Sequence, residues 1–128
     1  LQTLTFGDIF NQPLDAVKLP ASLQTLTFGW RFDQPLHDVR LPATLKTLTF
    51  RGGFFDEFHV DGVMPSQFNR PLDGVHLPAS LQTLIFSHCF DQPLQEVQLP
   101  AALQTLVFGN DFDQPLDGVH LPATLQTL

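Results

Sequence analysis

The hexapeptide Leu23-Gln24-Thr25-Leu26-Thr27-Phe28 decides the fold, because close copies of it recur along the whole chain. The copies begin at residues 1, 23, 45, 81 and 103, and a sixth begins at residue 125, so the steps between them are 22, 22, 36, 22 and 22 residues. A nearly constant period of this size predicts a solenoid, in which each repeat forms one coil and buries its apolar side against its neighbours. We therefore expect residues 1–128 to form a single repeat domain.

The hexapeptide itself is predicted to form a short strand. Leu26 and Phe28 alternate with Thr25 and Thr27, which places the leucine and phenylalanine inward and the threonines outward. Ile85 and Val107 replace the second threonine without breaking this alternation, and both residue types favour strands. Stacked copies would form a parallel sheet with one strand in each coil and about 4.8 Å between strands.

The rest of each coil is predicted to be turns or single helical turns on the side opposite the sheet. In coil 2 the segment Phe32-Asp33-Gln34-Pro35-Leu36 is followed by Val39 and by the second proline, Pro42, which leaves no room for a longer helix. Asp33, or Asn in its place, is expected to cap the following backbone N–H groups locally. The pattern thus predicts a mainly β fold, a parallel β-solenoid with 22-residue coils.

The irregular step follows the third copy. It can be a 14-residue loop (36 − 22), or an extra coil that has decayed over about residues 51–67. We favour the decayed coil, because Phe55-Asp56 and Asp61-Gly62-Val63 resemble parts of the fifth coil. The decayed coil predicts that the sheet is discontinuous between the strands at residues 45–50 and 81–86, or that the intervening segment lacks a strand of its own.

Composition excludes several classes of function. The chain has six Lys and Arg against thirteen Asp and Glu and a net charge of −7, which argues against binding to nucleic acid. A single cysteine excludes an internal disulfide and a multi-cysteine zinc site, and the lack of disulfides favours a cytoplasmic location. No apolar run approaches the ~20 residues of a membrane span, and no signal segment is visible. Because both ends fall inside a repeat, we expect the chain to be part of a longer array.

The repeat Leu19-Pro20-Ala21-Ser22-Leu23, continued through Gln34-Pro35-Leu36, resembles the FNIP repeat, a 22-residue relative of the leucine-rich repeats. The resemblance covers the chain apart from about residues 51–67. Family motifs often have Asn before Gln-Pro and Ile-Pro after it, whereas three of the five copies here have Asp and Leu-Pro replaces Ile-Pro. The resemblance implies a mainly β fold, a right-handed, curved parallel β-solenoid of the leucine-rich-repeat type, without catalytic activity. Such repeats are often found beside F-box, kinase or small GTPase domains, with an inferred role in protein interaction.

The polar residues do not form a catalytic or metal-binding pattern. His76 and His120 share a column with Lys18, Arg40 and Gln98, which is typical of an outward polar position. The adjacent pair His88-Cys89 lies in a variable turn, and neighbouring residues rarely face each other as a nucleophile and its base do. Asp residues stacked about 5 Å apart favour turn capping over a calcium ladder. We therefore predict no enzyme, no cofactor and no metal.

The outward face of the sheet is the predicted binding surface, with another protein as the partner. It presents rows of Thr and Gln, and the three residues after each strand vary between coils and include the hot-spot types Trp and Arg. The candidate residues are Trp30, Arg31, His88, Asn110, Thr25, Thr27, Thr47 and Thr49. Two alternatives remain: an ice- or polysaccharide-binding surface built on the Thr/Gln rows, and a structural spacer without a ligand.

Overall fold

A computed structural model describes residues 1–7, 9–15, 17–29, 31–51, 68–109 and 111–126. Within these ranges the chain forms five short strands, one for each copy of the hexapeptide: β1 (Thr3–Thr5), β2 (Thr25–Phe28), β3 (Thr47–Phe50), β4 (Thr83–Ile85) and β5 (Thr105–Val107). All neighbouring pairs are parallel, and the strands form one sheet in the order β1-β2-β3-β4-β5. The predicted parallel solenoid with one strand in each coil is confirmed.

The register of the sheet aligns equivalent positions of the repeat. Leu26 lies beside Leu4 on one side and Leu48 on the other. Leu26 and Phe28 are fully buried, whereas Thr25 and Thr27 are half-buried on the opposite face of the strand. The alternation inferred from the hexapeptide is therefore correct, and the aligned leucines form a continuous apolar row through the interior.

Two columns of stacked phenylalanine rings complete the core. The strand-side column contains the last residue of each hexapeptide, and equivalent rings in successive coils are 5.3, 5.4, 6.1 and 5.5 Å apart, in the order Phe6, Phe28, Phe50, Phe86 and Phe108. The turn-side column precedes each Asn or Asp, with separations of 6.3, 6.2, 6.1 and 6.2 Å, in the order Phe10, Phe32, Phe68, Phe90 and Phe112. Each coil thus contributes one ring to each column, which explains why phenylalanine dominates the aromatic composition.

The side opposite the sheet consists of tight turns. In coil 2 the Val39 N–H donates to the Leu36 carbonyl at 3.0 Å, and both side chains are buried as predicted. The Leu45 N–H donates to the Pro42 carbonyl at 3.1 Å, which turns the chain into the next strand. Within the described ranges there is neither a helix nor a second sheet, because the two prolines of each coil limit both.

The Asn and Asp column does not act by local capping, and our expectation on this point was wrong. The Oδ1 of Asn11 accepts a hydrogen bond from the Asp33 N–H and another from the Gln34 Nε2, both at 2.9 Å, and these donors lie in the next coil. Asn69 and Asp91 repeat the same pair of bonds toward the coils that follow them. The side chains therefore connect one coil to the next, as the stacked phenylalanines do.

A second polar column connects coils through hydroxyl groups. The Thr44 Oγ1, at the end of coil 2, donates to the carbonyl of Leu23 at the start of the same coil at 2.7 Å, and so connects the chain entering coil 3 to the strand region of coil 2. Ser80 and Thr124 make the equivalent bonds at 2.6 and 2.7 Å. Ala102 occupies this column in coil 4 and has no hydroxyl group. The connection is thus missing at one step of the array.

The sheet continues through the irregular step, so the predicted discontinuity is wrong. β3 pairs directly with β4, with Leu48 beside Leu84. The rings of Phe50 and Phe68 are 4.1 Å apart, the same arrangement as Phe28 and Phe32 at 4.0 Å. Coil 3 therefore closes on itself across a 14-residue insertion between these two phenylalanines. β3 and β4 are adjacent in the sheet, whereas the proposed decayed coil, and the alternative expectation that it lacks a strand of its own, fall outside the described residues.

Candidate binding face

The outward side of the sheet is a continuous surface, which we call the sheet face. It consists of the outward residues of β1 to β5 and of the residue directly before each strand. We call the latter set the Gln column: Gln2, Gln24, Lys46, Gln82 and Gln104. Thr25 pairs with Thr47 and Thr27 with Thr49, so these four candidate residues form one block at the centre. All four are half-buried, because each is flanked by its equivalents in the neighbouring coils.

The composition of the face changes along the sheet. The first threonine column extends through all five strands, and Thr83 lies beside Thr105 at the far end. The second column changes from threonine in β1 to β3 to Ile85 and Val107 in β4 and β5. One half of the face is consequently richer in hydroxyl groups and the other half is more apolar.

Acidic residues are absent from the sheet face within the described ranges. No Asp or Glu lies in a strand or in the Gln column that precedes it; the described acidic residues all belong to the turns: Asp15, Asp33, Asp38, Asp73, Asp91, Glu96, Asp111, Asp113 and Asp117. Lys46 is exposed directly before β3, in the column where the neighbouring coils have Gln24 and Gln82. Arg51 is exposed directly after β3, so a basic residue stands at each end of the middle strand.

The predicted rim residues follow the strands. Arg31 is exposed after β2 and His88 is half-buried after β4. Trp30 and Asn110, the other two candidates, lie outside the described residues. The backbones approach closely at this edge: a Cβ added to Gly109 would come within 2.3 Å of the His88 Cα, and the Asp111 N–H donates to the His88 carbonyl at 3.0 Å. The rim of coils 4 and 5 is therefore tightly packed.

Cys89 is not arranged as a nucleophile. Burial raises the pKa of its thiol above the ordinary value, and the charge of Asp111 and a hydrogen bond with that carboxylate raise the pKa further. A catalytic cysteine needs the opposite shift, because the thiolate is the reactive form. Among the residues that the structure describes, no group of three or more His, Cys, Asp or Glu is placed to hold a metal ion.

The basic column on the turn side borders a shallow groove. Lys18, Arg40 and His76 stand in consecutive coils, and two adjoining depressions of about 410 and 510 Å³ share Arg40 and Asp38 in their walls. Val39 and Leu41 also line it. Because Asp15 and Asp38 line the same groove, its charges largely cancel, and it offers no clear preference for an anion or a cation.

Sequence reasoning missed the basic pair that flanks β3. The available signal was a departure from the repeat: Lys46 replaces Gln in its column, and Arg51 replaces the Gly or Ser of Gly7, Gly29, Ser87 and Gly109. The sequence prediction placed a discontinuity next to β3. It therefore did not identify Lys46 and Arg51 as residues that flank the middle strand of an unbroken sheet.

The chain belongs to the FNIP repeat family, whose model matches residues 1–31, 10–53, 68–106 and 90–128. It is also similar to a solved structure described as "The crystal structure of CroV588 a novel circular LRR protein structure", with 36% sequence identity and a TM-score of 0.65. That match covers 100% of this chain and 20% of the other, so the chain spans about a fifth of that protein's length. None of the curated proteins matches this chain.

The comparisons identify a leucine-rich-repeat-like solenoid. Repeat families of this type are generally non-enzymatic and act as scaffolds. In the described part of the chain, no helix has the length and apolar character needed to cross a membrane.

Proposed function

We propose that this chain is a non-enzymatic scaffold that binds another protein through its sheet face. The observation that carries this proposal is the continuity of the face, which extends over five strands without an acidic residue among the described positions. The inward residues are occupied by packing, and the turn side repeats the same inter-coil bonds in successive coils. The sheet face is therefore the surface whose side chains are least occupied by core packing and by inter-coil hydrogen bonds.

Membership of the FNIP repeat family supports this proposal, since repeats of this kind usually bind proteins. The rim supports it as well, because Trp30 and Arg31 are of the residue types most enriched at binding hot spots. We propose that a partner on the sheet face also touches Trp30, Arg31, His88 and Asn110.

The alternative of ice or polysaccharide binding gains from one finding and loses from another. The sheet is continuous, so the interruption that would have divided the threonine rows does not exist. The second threonine column nevertheless ends at Ile85 and Val107, and the pair of regular rows extends over β1 to β3 alone. A spacer without a ligand would tolerate substitution of every outward residue.

Affinity capture with substituted chains tests the proposal. Thr25→Gln together with Thr47→Gln places bulkier, uncharged side chains on the sheet face, and Trp30→Ala with Arg31→Ala removes the rim candidates. His76→Gln is the matched control on the turn side, where Gln98 already occupies the same column. We expect the face and rim variants to lose the captured partner and the control to retain it. Unchanged capture by both variants, with unchanged melting temperature, would contradict the proposal.

A further inference from the structure

The shallow groove beside the basic column, which we call the turn-side groove, carries two rows of titratable side chains. In coils 1 to 3 an acidic residue lies one or two positions before the valine of the turn, and a basic residue or histidine directly follows that valine. Equivalent turn-side positions recur at the spacing of the coils, which the turn-side phenylalanine rings place at 6.1–6.3 Å. The acidic row consists of Asp15, Asp38 and Asp73, and the basic row consists of Lys18, Arg40 and His76.

The charges of both rows are available for contacts outside the chain, because all six residues are exposed. The Lys18 and Arg40 side chains make no hydrogen bond or ion pair with another residue that the structure describes. The Asp38 Oδ2 contacts the His37 Nε2 at 3.1 Å, but the Asp38 side chain is 72% exposed, so its Oδ1 remains accessible. The fold does not require a charge in the column of Arg40, since Gln98 occupies that column in coil 4.

A groove with one acidic row and one basic row is complementary to a copy of itself. A single ion finds attraction and repulsion side by side there, whereas a second copy of this chain presents both rows at the same spacing. A two-fold axis perpendicular to the groove reverses the direction of the array and also exchanges the two rows. The acidic row of each copy then faces the basic row of the other, which is the self-complementary arrangement of an isologous interface.

We propose that two copies of this chain associate back to back through the turn-side groove, with the two-fold axis at coil 2. The two depressions of the groove share Arg40 and Asp38, so coil 2 is its centre. With the axis there, Arg40 of each copy faces the partner's Asp38, and Lys18 of each copy faces the partner's Asp73. Leu19 and Leu41 also line the depressions, and both are half-buried, so association covers apolar surface between the charged rows.

The antiparallel orientation also accommodates the net charge of −7. Coils 4 and 5 contain no Lys or Arg, and their acidic residues are Asp91, Glu96, Asp111, Asp113 and Asp117. The two-fold axis at coil 2 places these acidic coils at opposite ends of the pair, where they repel each other least. A parallel arrangement would bring them side by side. Complementary charges of this kind fix the orientation and register of an interface more than they add affinity.

This inference goes beyond the proposed function, because it concerns the turn side. The sheet face is left uncovered in such a pair and stays accessible to a partner.

Sedimentation velocity over a series of protein concentrations tests the inference, with circular dichroism as the check on folding. The unsubstituted chain should show a dimer that dissociates on dilution. Asp38→Lys and Arg40→Glu should each weaken self-association by at least about tenfold, because each one replaces two attractive contacts with two repulsive ones. In an equimolar mixture of the two variants association should return. The introduced lysine then faces the introduced glutamate, and Arg40 of the first variant faces Asp38 of the second.

Glu96→Lys is the matched control, since it makes the same change of charge in the column of Asp38 but in coil 4, which faces no coil of the partner. We expect it to leave self-association unchanged. The inference would be overturned by a chain that stays monomeric at all concentrations, or by single variants that associate like the unsubstituted chain. A mixture that stays monomeric, or equal weakening by Glu96→Lys, would overturn it as well. Partner capture that is lost in the Thr25→Gln/Thr47→Gln variant would support the proposed function whatever these experiments show.

Discussion

A buried leucine in this solenoid is packed by its own coil and by the coils on both sides. Leu26 is fully buried, and the register places Leu4 and Leu48 directly beside it. Gln24 lies two residues before Leu26, and it bonds to coil 3 through its backbone carbonyl, not through its side chain. The contribution of a side chain to stability therefore depends strongly on the column that it occupies.

Leu26→Ala should lower the free energy of unfolding by about 2–5 kcal/mol, because it leaves a cavity between three coils. Gln24→Ala should change it by less than about 0.5 kcal/mol, as is usual for a surface substitution. Denaturant unfolding followed by circular dichroism measures both. Equal shifts in the midpoint would contradict the strand orientation described above.

The reactivity of Cys89 should depend on pH in a characteristic way. Burial, followed by the charge and hydrogen bond of Asp111, raises the pKa of the thiol, so alkylation by iodoacetamide should be slow at neutral pH and rise only above the ordinary thiol range. Asp111→Asn should move the rate profile to lower pH. Because the folded-state pKa is the higher one, this group stabilises the fold below the unfolded pKa, and the contribution disappears as pH rises through the folded value. An unchanged profile in the variant would show that Asp111 does not act on the thiol.

Within one coil, the strand was predictable and the polar connections were not. The strand follows from the alternation of Leu26 and Phe28 with the threonines, which is a local pattern. The bonds of Asn11 to the backbone and side chain of the next coil depend on how two distant segments stack, and local sequence gives no information on that distance. For the same reason the sequence could identify the threonine rows but not the central position of Lys46 and Arg51.

The hydroxyl group that is missing at residue 102, in the column of Thr44, Ser80 and Thr124, can be restored by substitution. Ala102→Thr should place a hydroxyl group near the Leu81 carbonyl, as Thr124 does with Leu103 at 2.7 Å, and should stabilise the fold by about 0.5–1.5 kcal/mol. Thr124→Ala should destabilise by a similar amount. Thermal unfolding of the two variants gives the comparison. Ala101→Thr is the control, because residue 101 is exposed and its equivalents are alanines; an equal gain there would show that the effect is not due to the inter-coil bond.

At the scale of the whole molecule, the array should tolerate removal of the insertion in coil 3. Residues 51–67 connect Phe50 to Phe68 with 17 residues (67 − 51 + 1), whereas three residues connect Phe28 to Phe32. The two ring pairs already have the same separation, so a three-residue connection fits the existing geometry.

Shortening this connection to Arg51-Gly-Gly should preserve the circular dichroism spectrum. It should raise the free energy of unfolding by roughly 1–2 kcal/mol if the longer connection adds only loop-closure entropy. Loss of the folded spectrum would show that the insertion is required by the stack, as a coil would be.

The ring separations differ between the two phenylalanine columns, and this difference makes the array curve. Equivalent rings in successive coils are nearly parallel, so their separation measures the local thickness of one repeat. It is 5.3–5.5 Å in three of four steps on the strand side and 6.1–6.3 Å on the turn side. At these three steps the repeats are consequently wedge-shaped, and the stack bends there with the sheet face on its inner side. At the step from coil 3 to coil 4 the ring separation is 6.1 Å on both sides, so this step adds no bend. Inserting or deleting one 22-residue unit would change the angle between the two ends of the arc by a fixed increment and leave the interior of every other unit unaltered.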